Sequence, residues 1–215
     1  MSKPLYLDTS EEVALRFIPE EHVTEIKTWK NPGKPAGTYF YPDIRNGHKL
    51  CLTGVKGRIK KRVAEDGKVC LTLNVIFGSR DGEFGEMINS ILSFEEYLEY
   101  AILGNKAFKI PPETQMWRII FQLTEEGETE AKEDAPWMMT LKIGAGSKFY
   151  LTAGDSRVEV DYHDIMNKGY EWSIFVKPQV WYADKAPLAY AQLQVIAAVA
   201  TGSFEEEIDS FLSVD

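Results

Sequence analysis

Two stretches near the end of the chain alternate apolar and polar residues, and the alternation predicts an antiparallel strand pair. From 169 to 182 the even positions Tyr170, Trp172, Ile174 and Val176 are apolar, while Glu171, Ser173 and Lys177 are polar and Phe175 shares their side. Past the turn region 183–187 the apolar set moves to the odd positions Leu193, Val195, Ala197 and Val199, opposite Tyr190, Gln192 and Gln194. A period of two is the mark of a half-buried strand. The other side of this pair brings together Phe175, Lys177, Trp181, Tyr190 and Gln192. That mixture of rings, amides and a cation suits stacking on bases, and it equally suits ordinary packing beneath a loop.

The segment from His48 to Phe77 predicts a second hairpin. A three-residue loop Glu65-Asp66-Gly67, with Gly67 left-handed, pairs Val63 with Val69, Ile59 with Leu73 and Val55 with Phe77 on one face. The alternate positions then pair Arg62 with Cys70, Lys60 with Thr72 and Arg58 with Asn74. A two-residue turn would instead set the cations opposite Leu71, Leu73 and Val75, mixing charge with core, so the first register is preferred. It places Arg58, Lys60 and Arg62 in a row at ~7 Å spacing, suited to phosphates and equally to a charge-guarded edge strand. Lys61 falls on the core-facing side and must snorkel or lie near a strand end.

Between the hairpins, 81–104 carries a helical stripe: Phe84, Met87, Ile88, Ile91, Leu92, Tyr97 or Leu98, and Ile102, closed by Gly104-Asn105. Ser93-Phe94-Glu95-Glu96 has the pattern of a capping box, so two consecutive helices are also compatible with it. Short strands are expected at 3–8, 13–18, 116–123 (with Trp117), 137–143 and 148–151, the last two as a pair around Gly144-Ala145-Gly146-Ser147. The Pro-, Gly- and Lys-rich stretch 27–37 reads as a surface loop leading to Tyr39-Phe40-Tyr41-Pro42. Residues 155–168 read as a short helix or excursion, and 125–134, with six acids and one lysine, as a solvated loop.

These elements describe a mainly β (α+β) chain: an OB-fold-like antiparallel β-barrel over 1–202 with a helical insertion at about 81–104, then an acidic tail over 203–215. A chain of 215 residues with 44% hydrophobic content is large enough for one such core. Apolar runs fall short of a membrane span and the N-terminus lacks the apolar core of a signal peptide, so a cytoplasmic location is expected. Cys51 and Cys70 lie in strands without CxxC spacing and read as reduced thiols.

Charge changes the picture. From Lys27 to Arg62 ten basic residues face the single acid Asp43, a local excess of nine in a chain of formal net charge −9, leaving −18 on the remainder. Such asymmetry points to a polyanion-binding face balanced by an acidic element. The tail from Ser203 carries five acids and no base, with Phe204, Ile208, Phe211 and Leu212 at amphipathic-helix offsets among Glu205, Glu206, Glu207 and Asp209. It reads as a partner-binding segment, as a frayed acidic end, or as a last helix packed on the domain. Enzyme signatures are sparse. His22, His48 and His163 have no metal-ligand spacing, and Gly144-Ala145-Gly146-Ser147 lacks the lysine of a P-loop. Asp155, Asp161, His163 and Asp164 form the single local acid-plus-His cluster, a weak match to a two-metal nuclease.

The last third resembles the single-stranded DNA-binding proteins of T7-like bacteriophages, in Gly144-Ala145-Gly146-Ser147-Lys148, in Val176-Lys177-Pro178-Gln179-Val180-Trp181, in the Ala191–Val195 run and in the acidic end. The tail is shorter than that family's and ends Val214-Asp215 rather than in an aromatic. The resemblance implies an OB-fold core that coats single strands in replication, recombination and repair, needs no cofactor, and contacts replication proteins such as polymerase or helicase through its tail; several members are dimers.

The expectation is therefore a sequence-independent single-stranded DNA-binding protein and not an enzyme. Trp29, Tyr39, Tyr41, Phe175 and Trp181 would stack on bases, and Lys30, Lys34, Arg58, Lys60, Lys61, Arg62, Lys148 and Lys177 would meet phosphates. The alternative is a non-enzymatic β-rich viral interaction or assembly protein whose tail docks on a neighbouring subunit.

Overall fold

The computed structural model describes residues 12–14, 19–30, 37–45, 49–63, 67, 69–124, 131–183 and 187–203. Eleven strands and two α-helices appear among them, besides short 3-10 turns at Pro19–His22 and Lys106–Phe108: β1 (Glu12–Ala14), β2 (Val23–Lys30), β3 (Thr38–Ile44), β4 (Lys49–Val63), β5 (Val69–Gly78), α1 (Gly85–Ile102), β6 (Gln115–Trp117), β7 (Ile120–Gln122), β8 (Trp137–Ala153), β9 (Ser156–Val160), α2 (Tyr162–Ile165), β10 (Gly169–Tyr182) and β11 (Leu188–Ser203). The sheet runs β1-β4-β5-β8-β11-β10-β3-β2, and a further β4–β10 pairing closes five of these strands into a ring. Numbered along the chain, the ring strands follow the order 1-2-3-5-4 and return to 1. Their third and fifth members, β8 and β11, are parallel. This is the topology of an OB-fold barrel.

Closure depends on a bulge in β4. Its first half pairs with β10 (Leu52 opposite Ile174), its second half with β5 (Ile59 opposite Leu73), and the β10 register shifts between Trp172 and Ser173. The residue left over is Gly54, at φ +71°, a left-handed conformation that a side chain would strain. The extra residue flips the alternation, so Leu50 and Leu52 before it and Val55 and Ile59 after it all enter one core. Trp172, fully buried, packs in that core and donates its indole N–H to the Gly57 carbonyl (3.0 Å), tying β10 to β4 across the seam.

The β4–β5 hairpin has the register expected from its loop: Val63 faces Val69, Arg62 faces Cys70, Lys60 faces Thr72 and Arg58 faces Asn74. Its tip projects past the core, however. Val63 and Val69 are 60% and 50% exposed, and Lys61 is exposed beside them rather than snorkelling. The β10–β11 pairing is also as expected up to Val195. There a bulge at Ile196 reverses the alternation, so Ala198 and Ala200 enter the main core while Ala197 and Val199 join Cys51, Tyr150 and Phe175 in a second cluster on the outer face.

Other departures have local causes. Residues 27–30 belong to strand β2, paired with β3, rather than to a loop. The helical segment is one helix with Ser93 in its interior, so no second start forms there. Residues 137–153 form one strand through the Gly144–Ser147 stretch. Ser147 Oγ accepts from the Gly144 N–H (2.9 Å) and donates to the Val195 carbonyl (2.6 Å), stitching the irregularity to β11. The expected strand 116–123 is split into β6 and β7, because the buried Glu95 of α1 accepts the N–H groups of both Ile119 and Ile120 and turns the chain between them. The acid-rich stretch 125–130 and the tail 204–215 lie outside the described residues.

Candidate nucleic-acid interface

Alternation along each strand sorts side chains to the core or to the outer face, and strand register then aligns the outer ones across the sheet. One such line is aromatic throughout. Trp29 of β2 faces Tyr39 of β3, Tyr39 faces Trp181 of β10, Trp181 faces Tyr190 of β11, and Tyr190 faces Trp117 of β6. Ring centroids are 5.8 Å apart for Trp29–Tyr39, 5.6 Å for Trp181–Tyr190 and 5.9 Å for Tyr190–Trp117. Tyr41, two residues from Tyr39 on β3, stacks on it at 5.9 Å. Four interstrand steps carry this row about 19 Å across the sheet. Its ends are the most open, with Trp29 at 47% and Trp117 at 60% exposure.

A second line on the same face lies four residues along β10 and β11, about 13 Å from the first. Lys177 faces Gln194, Gln194 faces Lys142 of β8, Lys142 faces Thr72 of β5, and Thr72 faces Lys60 of β4. Arg58 and Arg62 flank Lys60 along β4 by alternation. Between the two lines sits an amide pair, Gln179 facing Gln192. A cleft of about 890 Å³ opens beside the cationic line, lined by Cys70, Thr72, Thr140, Lys142, Lys148, Asp161 and Gln192 among others.

The residues expected to bind are placed unevenly. Trp29, Tyr39, Tyr41, Lys177 and Trp181 share the outer face, continued along β4 by Arg58, Lys60 and Arg62. Phe175 has the same parity but is only 3% exposed, packed against Cys51, Tyr150 and Val199, so its ring is not presented to a base. The alternation assigned its side correctly; it carried no information about what covers it. Lys30 follows Trp29 on the strand and so projects to the opposite face, and Lys61 departs from the Lys60 line for the same reason. Lys148 is exposed but ion-paired with Glu159 at 3.3 Å, which offsets part of its charge. Lys34 and the tail residues Phe204 to Leu212 lie outside the described residues. Trp117, Lys142 and Gln179 were not foreseen. Lys142 alternates with the buried Leu141 and so carried a readable signal, whereas the place of Trp117 depends on a parallel pairing with β11 that no local pattern announces.

Two titrations bear on the face. Burial, with the neighbouring Tyr39, holds the Tyr41 phenol above its usual range, so it stays neutral and does not repel phosphate. Lys27 faces Tyr41 but is paired with Asp43 (2.6 Å) and Glu25 (3.2 Å), whose hydrogen bonds raise its pKa. Among the described residues no group of three or more His, Cys, Asp and Glu is arranged to hold a metal ion. None of their helices is long and apolar enough to cross a membrane.

No protein-family model matches the chain, and no curated protein matches it significantly in sequence. Solved structures do match in fold. A C-terminally truncated single-stranded DNA-binding protein of bacteriophage Enc34 superposes with a TM-score of 0.50 at 10% identity, covering 84% of this chain and 97% of its own. The same phage's protein in complex with single-stranded DNA gives 0.45 at 11% identity, over 86% and 99% of the two chains. The gp2.5 single-stranded DNA-binding protein of bacteriophage T7 gives 0.39 at 14% identity, over 74% and 95%. The first of these likenesses agrees with the barrel topology derived from the strand pairings.

Proposed function

We propose that the chain is a single-stranded DNA-binding protein that works by stacking and phosphate neutralisation, without catalysis. The observation that carries this reading is the aromatic line Trp29–Tyr39–Trp181–Tyr190–Trp117 running parallel to the cationic line Lys177–Lys142–Lys60 on one face. Every base has a π-face, so such a line accepts bases with little regard to sequence, and lysines neutralise phosphates wherever they fall. A duplex hides its π-faces, so the same face discriminates against it. The barrel shared with the truncated Enc34 phage protein supports the reading at the level of fold.

The proposal extends to a role in phage DNA replication, recombination and repair. The acidic segment 204–215 would compete with DNA for the cationic face and engage replication proteins when displaced; its five acids from Ser203 onward and its spaced apolar residues support this. The test is fluorescence anisotropy of a labelled oligo(dT) at two salt concentrations, with duplex competitor, on the full chain and on a chain lacking 203–215. Single-strand binding that weakens steeply with salt and resists duplex supports the proposal. Absence of binding at low salt by both chains overturns it.

A further inference from the structure

The β8–β9 hairpin has one open edge. Its two-residue turn, Gly154-Asp155, holds Gly154 at φ +60°, the glycine-first form of a tight hairpin. Ala153 faces Ser156 across the turn, Leu151 then faces Val158, and Phe149 faces Val160. A two-residue loop is closed by a hydrogen-bonded pair, and such pairs recur at every second residue of an antiparallel ladder. Ser156, Val158 and Val160 therefore bond to β8, while the backbone N–H and C=O groups of Arg157 and Glu159 point to the other edge. Among the described residues no strand pairs with that edge. Ser156 to Glu159 are exposed, Val158 at 50%.

Edge strands are commonly blunted by proline, a bulge or a row of like charge. The sequence Ser156-Arg157-Val158-Glu159-Val160 has none of these. Its charges instead complement a second copy of itself. In an antiparallel pairing about a twofold axis at Val158, Arg157 of each copy faces Glu159 of the other, and the two Val158 side chains meet at the axis. The facing residues are the ones whose backbone groups are open, so the pairing closes four backbone hydrogen bonds. An axis at 157 would set two arginines against each other, and an axis at 159 two glutamates, so charge selects the register. Arg157 has no ion pair among the described residues, and Glu159, bound to Lys148 at 3.3 Å, is still 40% exposed. The edge of β2 differs, because Lys27 is already held by Asp43 and Glu25 of its own sheet.

We propose that the β9 edge is a homodimerisation surface, on which two copies of the chain join by antiparallel β9–β9 pairing centred on Val158. The twofold axis is normal to the joined strands, so the outer faces of both hairpins turn to the same side. Asp155 in the turn and Asp161, whose carboxylate caps α2, lie beyond the paired stretch. Two five-residue strands bury less than the ~1,200 Å² of a standard interface, so the dimer is weak and concentration-dependent.

The test is sedimentation velocity of the full-length protein over roughly 1–500 µM, a range suited to weak association, for the wild type, Arg157→Glu and Glu159→Arg. Both positions are exposed, so neither change enters the core. The wild type is expected to dimerise as concentration rises. Each reversal sets like charges opposite and weakens the dimer about tenfold. An equimolar mixture of the two variants restores it, because the acidic edge of one then faces the basic edge of the other. A wild type that stays monomeric throughout overturns the proposal, and that result needs no variant to fold. Reversals that dimerise like the wild type, or a mixture that stays monomeric, also overturn it. None of these readouts uses DNA, so their failure leaves the stacking reading standing.

Discussion

Gly37 and the Trp181 indole adjoin so closely that a Cβ on residue 37 would lie 2.2 Å from Trp181 Nε1. The aromatic line is thus held from below by backbone, with the glycine leaving room for its central ring. Gly37→Ala is expected to displace Trp181 and lower affinity for poly(dT) by about 1 kcal/mol, the low end for loss of one stacked base. A titration checks the affinity, and a shift in tryptophan emission of the free protein checks the displacement.

Two open rings and one buried ring make a contrast. Trp29→Ala and Trp117→Ala should each weaken single-strand binding by ~1–3 kcal/mol while changing folding stability within about 0.5 kcal/mol, as for exposed substitutions generally. Phe175→Ala should do the reverse, costing about 3–5 kcal/mol of stability as a core truncation and leaving the affinity of the folded protein nearly unchanged. Urea denaturation beside a binding titration separates the two classes.

Salt dependence sorts the cations. Lys177→Ala should lower the slope of log K against log salt by about 0.7 if it meets one phosphate of a single strand. Lys148→Ala should lower it less, because Glu159 already competes for that ammonium at 3.3 Å. Glu159→Gln should release it and raise affinity at low salt. Titrations at several salt concentrations give all of these slopes.

Glu95 governs the joint that carries Trp117. Burial raises its pKa, opposed by the N–H groups of Ile120 and Ile119 and by Arg118. A carboxyl whose folded pKa lies above its unfolded value contributes stability that is full below the unfolded pKa and lost as pH rises through the folded one. Glu95→Gln, neutral and still able to accept from both N–H groups, should therefore gain on the wild type as pH increases from about 4 to 8. Losing the Arg118 contact should cost little, since that guanidinium is 53% exposed. Glu95→Ala strands two buried donors and should cost about 1–3 kcal/mol for each. Denaturant midpoints across that pH range distinguish the three proteins.

Much of the barrel was legible because its hairpins are local. The β4–β5 register followed from the expected Glu65-Asp66-Gly67 loop and from keeping Arg58, Lys60 and Arg62 out of the core. The β10–β11 pairing followed from alternation. The bulge at Ile196 did not, since Val195 to Ala200 is apolar on both sides and no polar residue marks the change of face. The proposed binding face was legible as an inventory, in Trp29, Tyr39, Trp181 and the basic run, but not as a line. Alignment of Trp29 with Trp117 requires the mutual register of five strands drawn from residues 23 to 203, a non-local property. Phe175 shows the same limit from the other side: parity is local, cover is not.

The central claim is that bases of a single strand stack on the Trp29–Tyr39–Trp181–Tyr190–Trp117 line. Tryptophan fluorescence followed during titration with poly(dT), and then with duplex DNA at the same low salt, tests it most directly. Stacking predicts strong quenching that saturates with the single strand, reverses on adding salt, is reduced in Trp117→Ala, and is weak or absent with duplex. Binding of poly(dT) with unchanged emission, or equal quenching by duplex, would contradict it.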